Sequence, residues 1–575
     1  MSESGRARLA VASPWSLPPP WLRQWQRTWL AGDLTAGVVV AVMLVPQSLA
    51  YAMLAGLPPQ VGLLASLLPL LAYAVFGSSR TLSVGPAAIT SLMVVQALTP
   101  LAAPGSLTYV ALAWCVALGS GLLLLAMGAW RLGFLSQLLS RPVVQGFTIA
   151  SALLILAGQV APLLGEPSMG TTLPDILRSA WGLVRSGVMA HPGDLVVGVG
   201  ALVALGLGAR WVTPLLGQRL WPLLVLVSAS LGAAWLSSHT AWQPALVGTV
   251  SLQGTEVAGA WSQVRHLEAS HFTALAMPIL LISLVSFVSS VSVAQSFALK
   301  QGERIDADRE LLGLGLANVG STVLGGMPVS GGLSRSVVNE AAGARSPLAG
   351  VVTALLLAAL LSTLIPWLAW LPKAALAAVI IMAVAGLIEG QSLRAAWRYD
   401  RTEAGAFLST ALGVLLVGFE AGILLGMAWS MGAMIWRHSQ PHMAEVGRLP
   451  GTEHFRNVAR HQVEVLPGVL MVRVDESLDF TNVQRVEQRL CELIHSHGDT
   501  RHVVLLLSAV NHIDHTAIQS LLELDTALAD QGKTLYLAHI KGPVMDRLSA
   551  GRVADRFNGR HFMSAQQAWE ALSGL

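Results

Sequence analysis

Apolar residues recur in long runs between residues 31 and 437, and polar residues lie mainly in the short stretches between these runs. Runs of this length and hydropathy are typical of helices that cross a membrane. We therefore expect an α-helical membrane protein with fourteen membrane segments. The predicted segments are residues 34–54, 60–76, 83–101, 107–129, 142–162, 194–209, 221–236, 272–298, 309–324, 328–343, 347–367, 372–389, 404–418 and 421–436. A further segment, 174–187, has one apolar and one polar face and is expected to lie along the membrane surface.

Two short apolar segments, far apart in the chain, are interrupted by glycine or proline. One is TLSVGPAA, from Thr81 to Ala88, and the other is GMPVSGGLSR, from Gly326 to Arg335. Each has a few extended residues before a helix-forming run, and a matched pair of this kind indicates the midplane site of a transporter. If the two halves are inverted repeats, the half-helices meet at their N-termini, where free N–H groups and helix dipoles favour anions. Arg335, in the first turn of the second half-helix, adds a full positive charge, so the pattern predicts anion transport.

The composition agrees with a membrane protein and argues against several other classes. Of the 575 residues, 54% are hydrophobic and 12% are charged, against about 25% charged in soluble domains. The net charge of +3 comes mainly from loop arginines and does not require a nucleic-acid partner. We find no P-loop, no cysteine ligand set and no nucleophile–base pair in the spans, so we expect no ATP-driven pumping, metal, cofactor or enzymatic activity.

The basic residues of the loops predict the orientation. With the N-terminus inside, most loop arginines and lysines, including Arg141, Lys300 and Arg304, fall on the cytoplasmic side. This agrees with the positive-inside rule. We therefore expect a multi-pass protein of the cell inner (plasma) membrane with both termini in the cytoplasm.

The chain changes character near residue 438. From residue 465 onward, strand patterns alternate with helix patterns, which indicates a small sheet covered by helices. Within this region, Asp514 or Thr516 is expected to cap a helix. The predicted domains are a cytoplasmic N-terminal segment (1–30), a transmembrane domain (31–437), a linker with the first strand (438–464) and a cytoplasmic α/β domain (465–575).

These patterns resemble the sulfate permease (SulP) family of anion transporters. The first stretch that carries the resemblance is VPQSLAYAMLAGLPP from Val45, followed by FGSSRTLSVGP from Phe76. The second is RELLGLGLAN from Arg309, followed by GGMPVSGGLSRS from Gly325. The tail, notably LSAVNHID from Leu507, resembles the family's sulfate transporter and anti-sigma factor antagonist (STAS) domain.

The resemblance implies a seven-plus-seven inverted repeat with a core and a gate domain, like that of uracil permeases, and a homodimer. It also implies a secondary transporter that moves a small inorganic oxyanion, sulfate first, by alternating access, with a proton or sodium ion as coupling partner. The site would be formed by the first span, the eighth span and the two half-helix starts. The expected substrate-binding residues are Gln47, Gly85, Pro86, Ala87, Ser289, Gly331, Gly332, Leu333, Ser334 and Arg335.

One of these positions departs from the family pattern. Many members have an acid on the eighth span, in a Phe-Val-Glu-Ser context associated with cation or proton coupling, whereas this chain has Ser289 there. Glu340 is either a substitute acid or a structural partner of Arg335. Three alternatives stay open: a bicarbonate, dicarboxylate or chloride carrier, an uncoupled anion channel, and a non-transporting anion sensor that signals through the tail.

Overall fold

The computed structural model describes most of the chain, and its residues fall into two compact units. The units are Met1–Ser430 and Met431–Leu575. The described residues are 20–137, 140–166, 172–186, 191–211, 217–247, 262–301, 303–386, 388, 397–398, 400–550 and 553–574.

The first half of the membrane unit consists of helices that proline and glycine residues interrupt. The second predicted segment, 60–76, forms two helices, because a turn follows Leu64 and Pro69 lies in the first turn of the next helix. The elements are α1 (Pro20–Gln24), α2 (Leu30–Leu54), α3 (Pro59–Leu64), α4 (Leu68–Phe76), β1 (Val84–Gly85), α5 (Ala88–Leu98), α6 (Leu107–Ala129), α7 (Arg141–Gly158), α8 (Val160–Leu163), α9 (Leu173–Ser186), α10 (Pro192–Trp211) and α11 (Gly217–His239).

The second half of the unit repeats this order, with a short strand again preceding a short helix. The elements are α12 (Ala269–Gln301), α13 (Ala307–Val323), β2 (Ser330–Gly331), α14 (Leu333–Ala341), α15 (Leu348–Leu368), α16 (Lys373–Ala385), α17 (Arg401–Leu416) and α18 (Phe419–His438). Aspartates begin two of these helices: Asp306 accepts hydrogen bonds from backbone N–H groups of α13, and Asp400 does the same for α17.

The described helices agree with the fourteen segments expected from the sequence. Seven are long and apolar enough to cross a membrane by length and composition. Four shorter apolar helices and the more polar α13, α14 and α17 bring the count to fourteen. The polytopic helical fold is therefore confirmed, and α9 covers the predicted amphipathic segment.

Small residues allow helices from the two halves to approach closely. At the contact between α6 and α13, a Cβ atom on Gly121 would lie 2.9 Å from the carbonyl oxygen of Gly315. Close approach at glycine is a general way of packing helices in membranes, where apolar burial provides little attraction between them. This contact joins the first half of the membrane unit to the second.

The C-terminal unit is the predicted α/β domain. Its sheet has the order β4-β3-β5-β6-β7-β8, in which β5 to β8 are parallel and β3 is antiparallel to its neighbours. Both faces are apolar, because alternate residues such as Val472 and Met471 enter separate clusters under helices. The elements are β3 (Met443–Arg448), β4 (Phe455–Asn457), β5 (Val469–Val474), α19 (Val483–Ser496), β6 (His502–Leu506), α20 (His515–Asp530), β7 (Thr534–Ala538), α21 (Gly542–Ala550), α22 (Val553–Arg556), β8 (His561–Phe562) and α23 (Ala565–Ser573).

Two details of this unit refine the sequence analysis. Residues 438–464 contain two strands, β3 and β4, where one was expected. Asp514 caps α20 by accepting a hydrogen bond from the N–H of Ala517 at 2.8 Å. Of the two residues considered for this role, Asp514 is therefore the cap.

Candidate anion-binding site

The two interrupted segments meet in the structure. Strands β1 and β2 pair antiparallel, with Val84 opposite Gly331 and Gly85 opposite Ser330. Helices α5 and α14 begin within three residues of these strands, after extended residues Ala87 and Gly332. In the described part of the chain neither N-terminus receives a side-chain cap. Two helix ends with free N–H groups therefore converge, as the sequence predicted.

Buried side chains hold the second strand in its extended conformation. Asn318 on α13 donates to the carbonyl oxygen of Val329 at 3.1 Å and accepts from the N–H of the same residue at 2.9 Å. Ser290 on α12 accepts from the N–H of Gly331 at 2.8 Å. These bonds replace the helical hydrogen bonds that the unwound backbone lacks, so the break is a stable feature of the fold.

The first strand is held from the other half of the unit. Ser336 on α14 accepts from the N–H of Ser83 at 3.0 Å, and Asn339 donates to the carbonyl oxygen of Thr81 at 3.0 Å. The N–H of Gly332 donates to the carbonyl oxygen of Ser83 at 3.0 Å, which continues the pairing beyond the strands. Side chains of the second half therefore fix both broken segments, its own through α12 and α13 and that of the first half through α14.

A buried carboxylate fixes the chain just before β1. Glu310 on α13 is inaccessible to solvent and accepts from the Tyr73 hydroxyl at 2.8 Å. It also accepts from the hydroxyl and N–H of Ser78, at 2.7 and 2.9 Å, and from the N–H of Ser79 at 3.2 Å. With its oxygens occupied by these donors, Glu310 has a structural role.

Arg335 is buried at the junction of the two strands. It is 1% exposed, and its nearest acceptor is the carbonyl oxygen of Ser330, 3.5 Å from Nη2. Within the described chain, Nη1 has no hydrogen-bond partner. The guanidinium lies against Gly85 and Gly332, where added Cβ atoms would come within 2.9 and 2.7 Å of Nη1 and Nε. A buried arginine of this kind indicates a site that receives an anion.

A cavity of about 410 Å³ lies beside this junction. It is bounded by α2, α5, α7, α12, α14 and α16. Its lining residues include eight of the ten residues predicted from the sequence, namely Pro86, Ala87, Ser289, Gly331, Gly332, Leu333, Ser334 and Arg335.

The other two predicted residues, Gly85 and Gln47, are not among the described residues that line the cavity. Gly85 contacts the guanidinium of Arg335, and Gln47 is 5% exposed with a buried Oε1 that has no partner among the described residues. Tyr51, one turn after Gln47 on α2, lines the cavity instead.

Several polar residues that line the cavity were not predicted from the sequence. Tyr51 falls within the motif that suggested Gln47, and Thr90 lies in the first turn of α5, so both could have been inferred. Gln145 and Thr148 on α7 carry no signal in the sequence. The remaining lining hydroxyls that were not predicted are Ser330 on β2 and Ser286, Ser292 and Ser296 on α12.

The described lining of the cavity carries a single side-chain charge, which is positive. Among its described lining residues Arg335 is the one charged side chain, and no carboxylate is present. Ser289, which stands where many family members have an acid, lines the wall. Such a cavity is electropositive because its charge comes from one arginine and two helix N-termini.

Comparison with known proteins agrees with the family resemblance of the sequence. The model of the sulfate permease family matches residues 30–410, and that of the STAS domain matches residues 460–568. The chain belongs to the sulfate permease family. It is 32% identical over 553 residues to a probable sulfate transporter of Mycobacterium tuberculosis, an alignment that covers 96% of each chain.

A second relative and a solved structure match over most of the chain. Sulfate transporter 4.1 of Arabidopsis thaliana is chloroplastic and is 32% identical over 517 residues, which cover 86% of this chain and 72% of that protein. The overall structure of SLC26A9 superposes with a TM-score of 0.82 at 20% identity, covering 96% of this chain and 92% of that one. The fold of a sulfate permease with a C-terminal STAS domain is therefore confirmed.

Proposed function

We propose that this protein is a secondary transporter that moves a small inorganic oxyanion, sulfate first, across the cell inner (plasma) membrane. It works by alternating access, with a core that carries the anion site past a gate. Both termini and the STAS domain lie in the cytoplasm, and the protein acts as a homodimer. Membership of the sulfate permease family and the names of its sulfate-transporting relatives support the choice of substrate.

The observation that carries this proposal is the buried guanidinium of Arg335 between two uncapped helix N-termini. Each N-terminus contributes the equivalent of about half a positive charge. Together with Arg335 they supply about two positive charges, which matches the two negative charges of sulfate. Backbone N–H groups at the starts of α5 and α14 bind the oxygens, and Arg335 supplies the fixed charge.

The lining favours transport without proton coupling. Ser289 cannot exchange a proton at physiological pH, and no carboxylate lines the described cavity. Glu340 lies near the C-terminal end of α14 and is not among the described residues that line the cavity. We therefore expect anion exchange or facilitated flux rather than proton symport.

Uptake of labelled sulfate into liposomes that contain the purified protein tests the proposal. Arg335→Ala should abolish most uptake at equal protein content, and Arg335→Lys should recover part of it, because lysine keeps the charge but not the geometry. Arg178→Ala is the matched control, since Arg178 is an arginine with an 83% exposed side chain on α9. Normal uptake by Arg335→Ala would exclude this residue from the site.

The same liposomes separate the remaining possibilities. An inward proton gradient at fixed membrane potential should leave sulfate uptake unchanged, and stimulation would require a proton-carrying group elsewhere. Competition by bicarbonate, dicarboxylates and chloride determines the preferred anion. High unitary current would indicate a channel, and sulfate binding without flux would indicate a sensor.

A further inference from the structure

The long helix α12 presents a row of hydroxyl groups to the cavity. Its lining residues include Ser286, Ser289, Ser292 and Ser296. At 3.6 residues per turn, these four serines lie within one face of about 120°, and the ten-residue interval spans about 15 Å. The row is therefore long enough to extend from the Arg335 junction towards one end of the helix.

Two neighbouring serines of α12, Ser283 and Ser290, do not line the cavity and make hydrogen bonds within the protein. Ser290 accepts from Gly331 and donates to the carbonyl oxygen of Ser286, and Ser283 donates to the carbonyl oxygen of Ile279. By contrast, Ser286 is 2% exposed, lines the cavity, and its Oγ has no partner among the described residues. A buried hydroxyl without a partner costs free energy unless a ligand binds it. Among the described serines whose buried hydroxyl lacks a partner, Ser286 is the one that lines the cavity, where an anion can accept its hydrogen bond.

Exposure rises along the row in one direction. Ser286 is buried, Ser289 is half-buried, and Ser292 and Ser296 are exposed. This end of α12 contains Lys300 and is followed by Arg304, and the distribution of basic residues assigns both to the cytoplasm.

The opposite wall shows the same gradient. On α7, Gln145 is exposed and Thr148, one turn deeper, is half-buried. Gln145 lies one turn after Arg141, which the same rule also assigns to the cytoplasm. Two walls from different helices thus open towards the same side.

We propose that Ser286, Ser289, Ser292 and Ser296 form a hydroxyl-lined entry path from the cytoplasm to the anion site, with Ser286 as its innermost ligand. This inference rests on the proposed function for the identity of the anion. Hydroxyl groups replace part of the hydration shell of the entering oxyanion while adding no charge that would trap it. Ser286 donates its free hydroxyl to the bound anion.

Thiol accessibility tests the path. The protein has two cysteines, and Cys115→Ser with Cys491→Ser gives a cysteine-free background in which single cysteines are introduced. A membrane-impermeant methanethiosulfonate reagent that carries a sulfonate group should modify Ser292→Cys and Ser296→Cys from the cytoplasmic side alone. Sulfate should slow the modification of Ser292→Cys. Leu280→Cys is the control, since Leu280 is 46% exposed on α12 but does not line the cavity. It should face lipid and remain unmodified from both sides.

The KM for sulfate uptake tests whether Ser286 binds the anion. Ser286→Ala should raise the KM for sulfate about tenfold, the usual effect of losing one hydrogen bond to a charged group. Ser286→Thr keeps the hydroxyl and should restore the KM, and Ser283→Ala should leave it unchanged. An unaltered KM in Ser286→Ala excludes Ser286 as a ligand.

The two proposals fail in different ways. Modification of Ser296→Cys only from outside, or none at all in a variant that still transports sulfate, overturns the entry path but not the transporter. Absence of sulfate flux in the cysteine-free parent and the natural protein overturns the proposed substrate, while the pattern of thiol modification still reports the path.

Discussion

The guanidinium of Arg335 lies directly against the backbone of Gly85 on the paired short strand. A Cβ atom on Gly85 would come within 2.9 Å of Nη1 of Arg335. The absence of a side chain at residue 85 therefore allows the positive charge to reach the place where the two helix N-termini meet. One half of the chain supplies the space and the other supplies the charge.

Replacing Gly85 by alanine should impair transport because the new methyl group displaces the guanidinium. We expect the KM for sulfate to rise roughly tenfold, which corresponds to about 1.4 kcal/mol of binding free energy. Uptake in liposomes measures this change. Gly206→Ala is the control, since a Cβ atom on this α10 glycine meets nothing within 4 Å. Equal KM values in the two variants would contradict the contact.

Ser290→Ala should destabilise the second strand. It removes the acceptor of the Gly331 N–H, and a buried donor left without a partner costs about 1–3 kcal/mol. The measurement is the thermal stability of the detergent-solubilised protein, followed by the loss of the monodisperse peak on size exclusion. Ser283→Ala removes an equally buried hydroxyl of the same helix that donates only to a helical carbonyl, so it should have little effect.

Glu310→Gln should destabilise the membrane unit strongly. Four of the five hydrogen bonds from Tyr73, Ser78 and Ser79 end on Oε1 and only a second one from Tyr73 reaches Oε2. The glutamine oxygen keeps the four acceptor contacts but loses the charge that strengthens them, and the amide nitrogen cannot accept from Tyr73 in place of Oε2. A loss of about 3 kcal/mol is expected, measured by the same thermal assay. Glu303→Gln disrupts a partly exposed ion pair with Arg80 and should cost less than about 1 kcal/mol. Similar stabilities would show that Glu310 does not anchor the chain before β1.

Asp525→Asn should destabilise the STAS domain at neutral pH and have less effect in acid. Burial raises the pKa of Asp525, but hydrogen bonds from Arg560 and Arg556, at 2.6 and 2.9 Å, outweigh burial and hold the pKa below its ordinary value. A depressed pKa in the folded state means that the stabilisation is complete above the unfolded pKa of about 4 and is lost as pH falls through the folded value.

Hydrogen exchange in the full-length protein measures this effect. Peptides from α20 and β7 should exchange faster in Asp525→Asn than in the natural protein at pH 7, by an amount equivalent to about 2 kcal/mol. After correction for the intrinsic exchange rate, the difference should shrink below pH 4. A difference that stays constant with pH would show that the charge of Asp525 does not contribute.

Much of the fold and part of the site were predictable from local patterns. The apolar runs gave the fourteen segments because span length is fixed by the bilayer. Glycine and proline in residues 81–88 and 326–335 gave the two breaks. Most of the residues at those breaks line the cavity. They could be predicted without knowing where their side chains point, because the backbone N–H groups at a helix start are what would bind an anion.

Residues on continuous helices were harder to predict. Gln47 and Tyr51 lie one turn apart on α2, and nothing in their spacing indicates which of them lines the cavity. The same holds for Ser286 and Ser290 on α12, of which Ser286 lines the cavity and Ser290 binds the backbone of Gly331.

By itself, the sequence determined the number of spans, the two broken half-helices, the α/β tail and the presence of one arginine at a helix start, because each depends on residues close together in the chain. Only the tertiary structure decided that β1 pairs with β2, that Gly85 makes room for Arg335, and that Ser286 rather than Ser290 keeps a free hydroxyl. These relationships join residues on different helices or distinguish two faces of one helix. They depend on how the halves pack, which no local pattern specifies.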